Sequence, residues 1–239
     1  VNIETLLAAM PGLDRPRATS YLPPMEAAMW EFQISTELRS RMWLAQVGHE
    51  SVSLRYFEEI ASGAAYEGRR DLGNTQPGDG VRFKGRGPIQ LTGRANYTSA
   101  GNALGLPLVS NPPMAADPRH AFRVSAWWWA THGLNPISDT ADVLAATRRI
   151  NGGTNGLTDR QQRYERCRAL GARVILGAAQ PPPAPKPPPP PPEDRVAVGT
   201  MPDGRHELFI ETSSGEILHR WNLPGGGWAT WSSLGKPGG

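Results

Sequence analysis

Glu50 stands directly after His49 in the stretch AQVGHES, at the end of a segment that otherwise reads as the buried side of a helix. Helical geometry sets Trp43, Val47 and Glu50 at i, i+4 and i+7, so this carboxyl shares a stripe with apolar side chains that must face the core. A carboxyl with little water around it loses more by ionising, and can stay protonated near neutral pH as a general acid must. A glutamate at a frayed helix end reaching solvent would satisfy the same residues. Chemistry needs a second group: glycosidic cleavage with inversion pairs the acid with a carboxylate roughly 6.5–9.5 Å away that activates a water. Glu58, Glu59 and Glu67 are in range along the chain. Glu59 lies nine residues beyond Glu50, half a turn out of phase at about 100° per residue. Both can face one cleft only if the helix breaks between them, and Ser51-Val52-Ser53 is the predicted break. Glu67 sits at the entry to a glycine-rich stretch, where periodicity does not fix its direction.

The elements that must carry these groups are mostly helical. MEAAMWEFQI and STELRSRMWLAQVGHE have apolar residues at three- and four-residue spacing, with a helix start at Ser35-Thr36-Glu37. From Gly68 to Gly93, glycines recur at 68, 73, 78, 80, 85, 87 and 93, too often for a helix, and loops with short strands are predicted. Helical patterning returns in DPRHAFRVSAWWWATHGL, where Asp117 can cap and Gly133 can terminate, then in DTADVLAATRRI and TDRQQRYERCRALGARVIL. Trp127, Trp128 and Trp129 must point in different directions on a helix, so one or two belong to the core and the other is free to line a cleft.

Ten of the 24 prolines fall between Pro181 and Pro192. Such a run adopts polyproline II and forms a semi-rigid spacer. The chain thus divides into residues 1–179, a linker over 180–194 and a module over 195–239. The last reads as four short strands joined by glycine-containing turns, one antiparallel sheet. It resembles a single blade of a β-propeller lectin, with Asp203-Gly204, Ser214-Gly215 and Trp221, Trp228 and Trp231 in blade-like positions. A lone blade cannot bury both faces, which implies self-association or a truncated array.

Several classes are set aside. Residues 1–179 hold 20 basic against 16 acidic side chains, a mild excess that suits an anionic polymer or a solvated surface equally. Arg69, Arg70, Arg82, Lys84 and Arg86 are candidates for a basic rim, but interleaved exposed aromatics are missing and nucleic acid is not an expected partner. The five histidines show no metal-ligand spacing, so no metal or other cofactor is expected, and His49 is expected to be a packed neighbour of the acid. Cys167 is the sole cysteine, which excludes an intrachain disulfide. No apolar run approaches the roughly 20 residues of a membrane span, so membrane insertion is not expected, and no signal-peptide pattern is seen at the first residues. Folding in a reducing cytoplasm, with action at the cell wall after release by another factor, is the expectation.

GHES, then GDGVRFKGRGPIQLTGRANY, then RRINGGTNGLTDRQQRY resemble, in that order and across most of residues 20–170, glycoside hydrolase family 19, which includes chitinases and phage endolysins. The resemblance implies a lysozyme-like, mainly α fold, an inverting mechanism and a β-1,4-linked polymer containing N-acetylglucosamine. It implies Glu50 as general acid, Glu59 as second acid with Glu67 in reserve, and Thr92 as the hydroxyl that holds the hydrolytic water. Gln90 and Asn96 flank it as substrate contacts, Asn151 binds sugar, and Arg160 positions the second acid. This chain departs from the pattern after the HES unit, where Val52 and Ser53 stand in place of small residues, often glycine. The disulfides of plant chitinases are absent. The expected activity is that of an endolysin cleaving peptidoglycan glycan strands. The alternatives are a chitinase on the same machinery, or a catalytically silent wall-binding protein. Residues 195–239 are expected to hold wall polysaccharide.

Overall fold

The computed structural model describes residues 1–175, 195–200, 206–211, 216–221 and 232–234. The chain forms two compact units, Val1–Pro181 and Pro182–Gly239. Described residues of the first are helical: α1 (Ile3–Ala9), α2 (Arg15–Glu31), α3 (Glu37–Glu50), a short α4 (Asp79–Arg82), α5 (Arg94–Leu104), α6 (Pro118–Thr131), α7 (Leu134–Asp139), α8 (Val143–Asn151) and α9 (Leu157–Ala169). The predicted caps are in place. Thr36 Oγ1 accepts from Arg39 N at 3.3 Å, and Asp117 Oδ1 accepts from Arg119 N at 3.0 Å. Gly133 takes a left-handed φ of 69° just beyond α6. Helix α2 begins earlier than the apolar spacing indicates: Asp14 caps it through Arg17 N, and it runs across Pro23 and Pro24.

Helix α3 is the centre of the unit. Met42, Trp43, Leu44, Ala45, Gln46, Val47 and Gly48 are all buried, so the helix is enclosed on every side rather than along one stripe. It packs against α9 and, less extensively, against α1, α7 and α8. Trp43 meets Trp129 of α6 edge to face, with centroids 5.3 Å apart. Trp129 is the fully buried member of the tryptophan triplet, whereas Trp128 is partly buried against the same core and Trp127 against a second cluster. Cys167 is also buried, and burial pushes its thiol up to about 12.

A second, smaller cluster of Phe83, Leu91, Tyr97, Leu104, Leu108 and Val124 lies beneath the glycine-rich segment. The short strands predicted there are instead 3₁₀ turns at Ala64–Tyr66 and Arg70–Leu72, helix α4, and two isolated bridges, Glu58 with Arg86 and Arg86 with Leu91. Glycines at positive φ, among them Gly63, Gly73, Gly78 and Gly93, interrupt any ladder before it extends.

In the second unit β1 (Arg195–Thr200), β2 (His206–Glu211), β3 (Ile217–Trp221) and β4 (Ser232–Ser233) form one antiparallel sheet in the order β1-β2-β3-β4. The four expected strands are present, with Arg195 opposite Glu211, Glu211 opposite Ile217 and Leu218 opposite Ser233. The proline run, the Asp203-Gly204 and Ser214-Gly215 turns, Trp228 and Trp231 lie outside the described residues.

Candidate active site

Helix α3 ends on Glu50, and the break predicted after it is sharp. Val52, Ser53 and Leu54 take φ angles of 52°, 58° and 63° in succession, a left-handed turn built from three residues other than glycine. Ser51 ties it: its Oγ donates to Val47 O at 2.6 Å and accepts from Leu54 N at 2.8 Å. Ser53 N donates to Gly48 O at 2.7 Å, folding the turn back on the helix end. The chain then runs on to Glu58 and Glu59, whose register with the glycine-rich loop is set by Glu59 N donating to Gly85 O at 2.9 Å.

Glu50 is partly buried, with its side chain 19% exposed, and its Oε1 accepts from Arg160 Nη2. Arg160 is 2% exposed, and its Nη1 donates to the amide oxygen of buried Gln46 at 2.5 Å. Two expectations change here. Arg160, expected to position the second acid, is buried, and its guanidinium is bound to Glu50 rather than to Glu59. The wall around Glu50 is not purely apolar, because α9 brings a cation into it.

Glu59 has a different setting. Its Oε1 accepts from the Tyr66 hydroxyl at 3.1 Å and its Oε2 from Gly85 N at 3.1 Å. Burial and the neighbouring carboxylate push the Tyr66 phenol above its usual range, so it stays a donor. Gly85 permits this approach: a Cβ there would lie 2.5 Å from Gln90 Oε1 and 3.2 Å from Glu59 Oε2. Each oxygen of Glu59 thus has one neutral donor. Glu58 is engaged by cations, Lys84 and Arg86 each 3.1 Å from its Oε1. Burial works against the charge on Glu58, but the two cations outweigh it and hold its carboxyl below the usual range. Glu58 is thus held as an ion-pair partner, whereas the two oxygens of Glu59 meet the Tyr66 hydroxyl and Gly85 N.

Glu67 is committed elsewhere. Its two oxygens accept from Gly78 N at 2.7 Å and Gly80 N at 2.8 Å, fastening the loop before α4. Its direction, open in the sequence, is fixed by those two backbone donors, which argues against a role in activating water. The expected basic rim is also largely spent. Lys84 and Arg86 hold Glu58, Arg69 pairs with Asp71 at 2.5 Å, and Arg82 Nη2 donates to Val109 O at 2.9 Å. Buried Arg86 further donates to the Tyr97 hydroxyl at 3.1 Å; burial pushes that phenol up to about 12, and it donates to Lys84 O at 2.8 Å.

The polar residues of the IQLTGRAN segment form a chain of contacts leading from Gly85. Gln90 Nε2 donates to Gly87 O at 2.9 Å, Thr92 Oγ1 donates to Gln90 O at 3.0 Å, and Asn96 Nδ2 donates to Thr92 O at 2.7 Å. With its proton engaged, the Thr92 hydroxyl has lone pairs left to accept from a water. Asn151 is exposed at the end of α8, where Nδ2 donates to Asn155 O and Oδ1 accepts from Gly153 N, both at 2.8 Å. His49 is the packed neighbour expected: Nδ1 bonds Asp159 Oδ2 at 2.6 Å, and the ring lies where a Cβ on Gly156 would be, 2.2 Å from Cε1. Among the described residues, no cluster of three His, Cys, Asp or Glu side chains suited to a metal is present. Gln46, Tyr66, Gly85 and Asp159 escaped sequence reasoning. Only Gln46, a polar residue in a fully apolar helix turn, carried a local signal.

The family profile described as chitinase class I, glycoside hydrolase family 19, matches residues 24–152. An endochitinase of Arabidopsis thaliana is 45% identical over 111 residues, covering 46% of this chain and 38% of that protein. A second Arabidopsis endochitinase is 43% identical over 136 residues, covering 54% and 46%. The glycosyl hydrolase family 19 domain-containing protein of Haemophilus influenzae is 28% identical over 159 residues, covering 54% and 78%. The chain spans less than half the length of the two plant proteins. Chitinase C from Streptomyces griseus superposes with a TM-score of 0.59 at 24% identity, over 74% of this chain and 78% of that one. A bacterial family 19 chitinase superposes with a TM-score of 0.56 at 26% identity, over 71% and 94%. These likenesses give the helical unit its lysozyme-like fold, and with the family profile covering more than half of its residues, the chain belongs to glycoside hydrolase family 19.

Proposed function

We propose that the chain is a glycoside hydrolase that cleaves β-1,4 bonds between N-acetylglucosamine units of chitin-type glycans, with inversion. One observation carries this: two carboxylates, Glu50 and Glu59, stand on either side of a left-handed turn and are held by unlike partners, a buried guanidinium and two neutral donors. Glu50 is the acid. Arg160 occupies Oε1, so a proton carried by Glu50 sits on Oε2 and is delivered to the bridging oxygen. Glu59 is the base, taking a proton from a water steered by the Thr92 hydroxyl oxygen, as the inverting scheme requires. Gln90, Asn96 and Asn151 offer amides suited to acetamide and hydroxyl groups of the sugar. Chitin is favoured as substrate because the plant relatives are endochitinases. A second reading, with which the mild basic excess of residues 1–179 is compatible, is the glycan of peptidoglycan cut by the same acids in a phage lysin. For residues 195–239 we propose glycan retention, on the face where Phe209, His219 and Trp221 meet edge to face.

The test assays soluble chitin oligomers and purified bacterial sacculi in parallel, following reducing ends and product anomer. Glu59→Gln and Glu50→Gln are each expected to lower kcat by about 10³-fold or more with KM little changed. Cleavage of sacculi but not oligomers selects the peptidoglycan reading. Parent protein that binds but cuts neither leaves a silent glycan binder.

A further inference from the structure

We propose that Arg163 is a positioning residue for the hydrolysis, clamping the left-handed turn that sets the two acids relative to each other. This rests on Glu50 and Glu59 being those acids. Arg163 lies one helical turn beyond Asp159 on α9, with its side chain 14% exposed. Its Nη1 donates to Ser53 Oγ at 3.0 Å, and its Nε donates to Asp159 Oδ2 at 2.7 Å. The same Nη1 lies where a Cβ on Gly48 would approach to 3.0 Å, so the guanidinium lies against the last turn of α3. Asp159 in turn bonds His49 Nδ1, the residue just before the acid. The chain Ser53, Arg163, Asp159, His49 therefore closes a ring across the segment that contains Glu50.

The ring answers a problem specific to this turn. Ser53 is buried, 5% exposed, at a φ of 58°, between Val52 and Leu54 in the same disfavoured region. Such a run persists only where its surroundings over-determine it. Backbone bonds from Val52, Ser53 and Leu54 supply part of that, and among the described residues Arg163 supplies the side-chain bond that reaches the turn from another element. Relaxation of the turn would move Glu59 relative to Glu50, and misplacement of about 1 Å is enough to cost about 100-fold in rate. A lysine cannot reproduce the clamp, since one ammonium lacks the fork that reaches a hydroxyl and a carboxylate together.

The experiment measures kcat and KM of the full chain on soluble chitin oligomers for Arg163→Gln, Arg163→Lys, Ser53→Gly, and Ser53→Gly combined with each. Both Arg163 variants are expected to lose about 10–100-fold in kcat with KM within about twofold. In the Ser53→Gly background the same replacements are expected to cost less than about threefold, because glycine takes a positive φ unaided and the clamp loses its task. Equal losses in both backgrounds, or lower melting temperature with kcat unchanged, overturn the proposal. So does failure of both Arg163 variants to fold, which makes the residue a general structural one. Glu59→Gln is assayed alongside. If it stays active, the assignment of the acids fails. If it is dead while the Arg163 variants work at full rate, only the clamp fails.

Discussion

Val52 places a β-branched, half-exposed side chain at a φ of 52°, between the last residue of α3 and the buried Ser53. For an L-residue the left-handed region costs roughly 1–2 kcal/mol, and branching at Cβ makes it worse. Val52→Gly removes that cost but adds freedom to the unfolded chain worth up to about 1 kcal/mol. The net expectation is a gain of about 0.5–1 kcal/mol, read as a rise of about 1–4 °C in the thermal midpoint. A fall would mean that Val52 makes a contact worth more than its strain. At this scale the sequence was informative about Glu50, because a carboxylate on a stripe with Trp43 and Val47 breaks a pattern. It was silent about the partner, since no periodicity links residue 50 to residue 160. Glu67 shows the converse: without structure it competes with Glu59, and what counts against it, the bonds from the amides of Gly78 and Gly80, has no trace in the sequence.

Helices α3, α6, α8 and α9 were legible because their caps and apolar spacing agree, whereas the segment between α3 and α5 was not. Its conformation comes from side chains bonding to backbone across the loop, which leaves no repeating signal. Asp79 is the clearest case. It is 1% exposed, accepts from Thr75 N and Gln76 N at 3.0 Å each, and takes Arg94 Nε at 2.8 Å and Nη2 at 2.5 Å. The Arg94 guanidinium outweighs burial and, with the two amides, holds the Asp79 carboxyl down at about 2. A carboxyl depressed in the folded state adds stability that is complete above its unfolded value near 3.8 and is lost as pH falls toward 2. Asp79→Asn is expected to cost about 2–3 kcal/mol at pH 6, by leaving Arg94 without its charge partner. The gap between parent and variant in urea unfolding should narrow steadily from pH 4 to pH 2. A gap that does not change with pH would remove Asp79 as the loop's acid-sensitive anchor.

Across the whole molecule, the proline run separated a stretch of helical spacing from one of strand patterning, and the structure divides the chain at Pro181 and Pro182, inside that run. The division of labour between them can be tested at Trp221. In β3 it lies opposite Glu207 and meets His219 edge to face at 5.4 Å, while His219 meets Phe209 at 5.8 Å. All three stand on one face of a sheet whose strands alternate sides, and aromatic faces rimmed by carboxylates such as Glu207 and Glu211 suit the apolar flank and hydroxyl edge of a sugar. If that face retains glycan while residues of the first unit do the chemistry, Trp221→Ala should weaken adsorption to insoluble chitin or sacculi by about tenfold, a loss of about 1.4 kcal/mol. Turnover of soluble oligomers should stay within about twofold of the parent, since a short oligomer needs no second point of attachment. Loss of both properties together would tie Trp221 to the folding of the protein as a whole. Unchanged adsorption with the sheet intact by near-UV circular dichroism would move glycan retention away from this face and onto the helical unit.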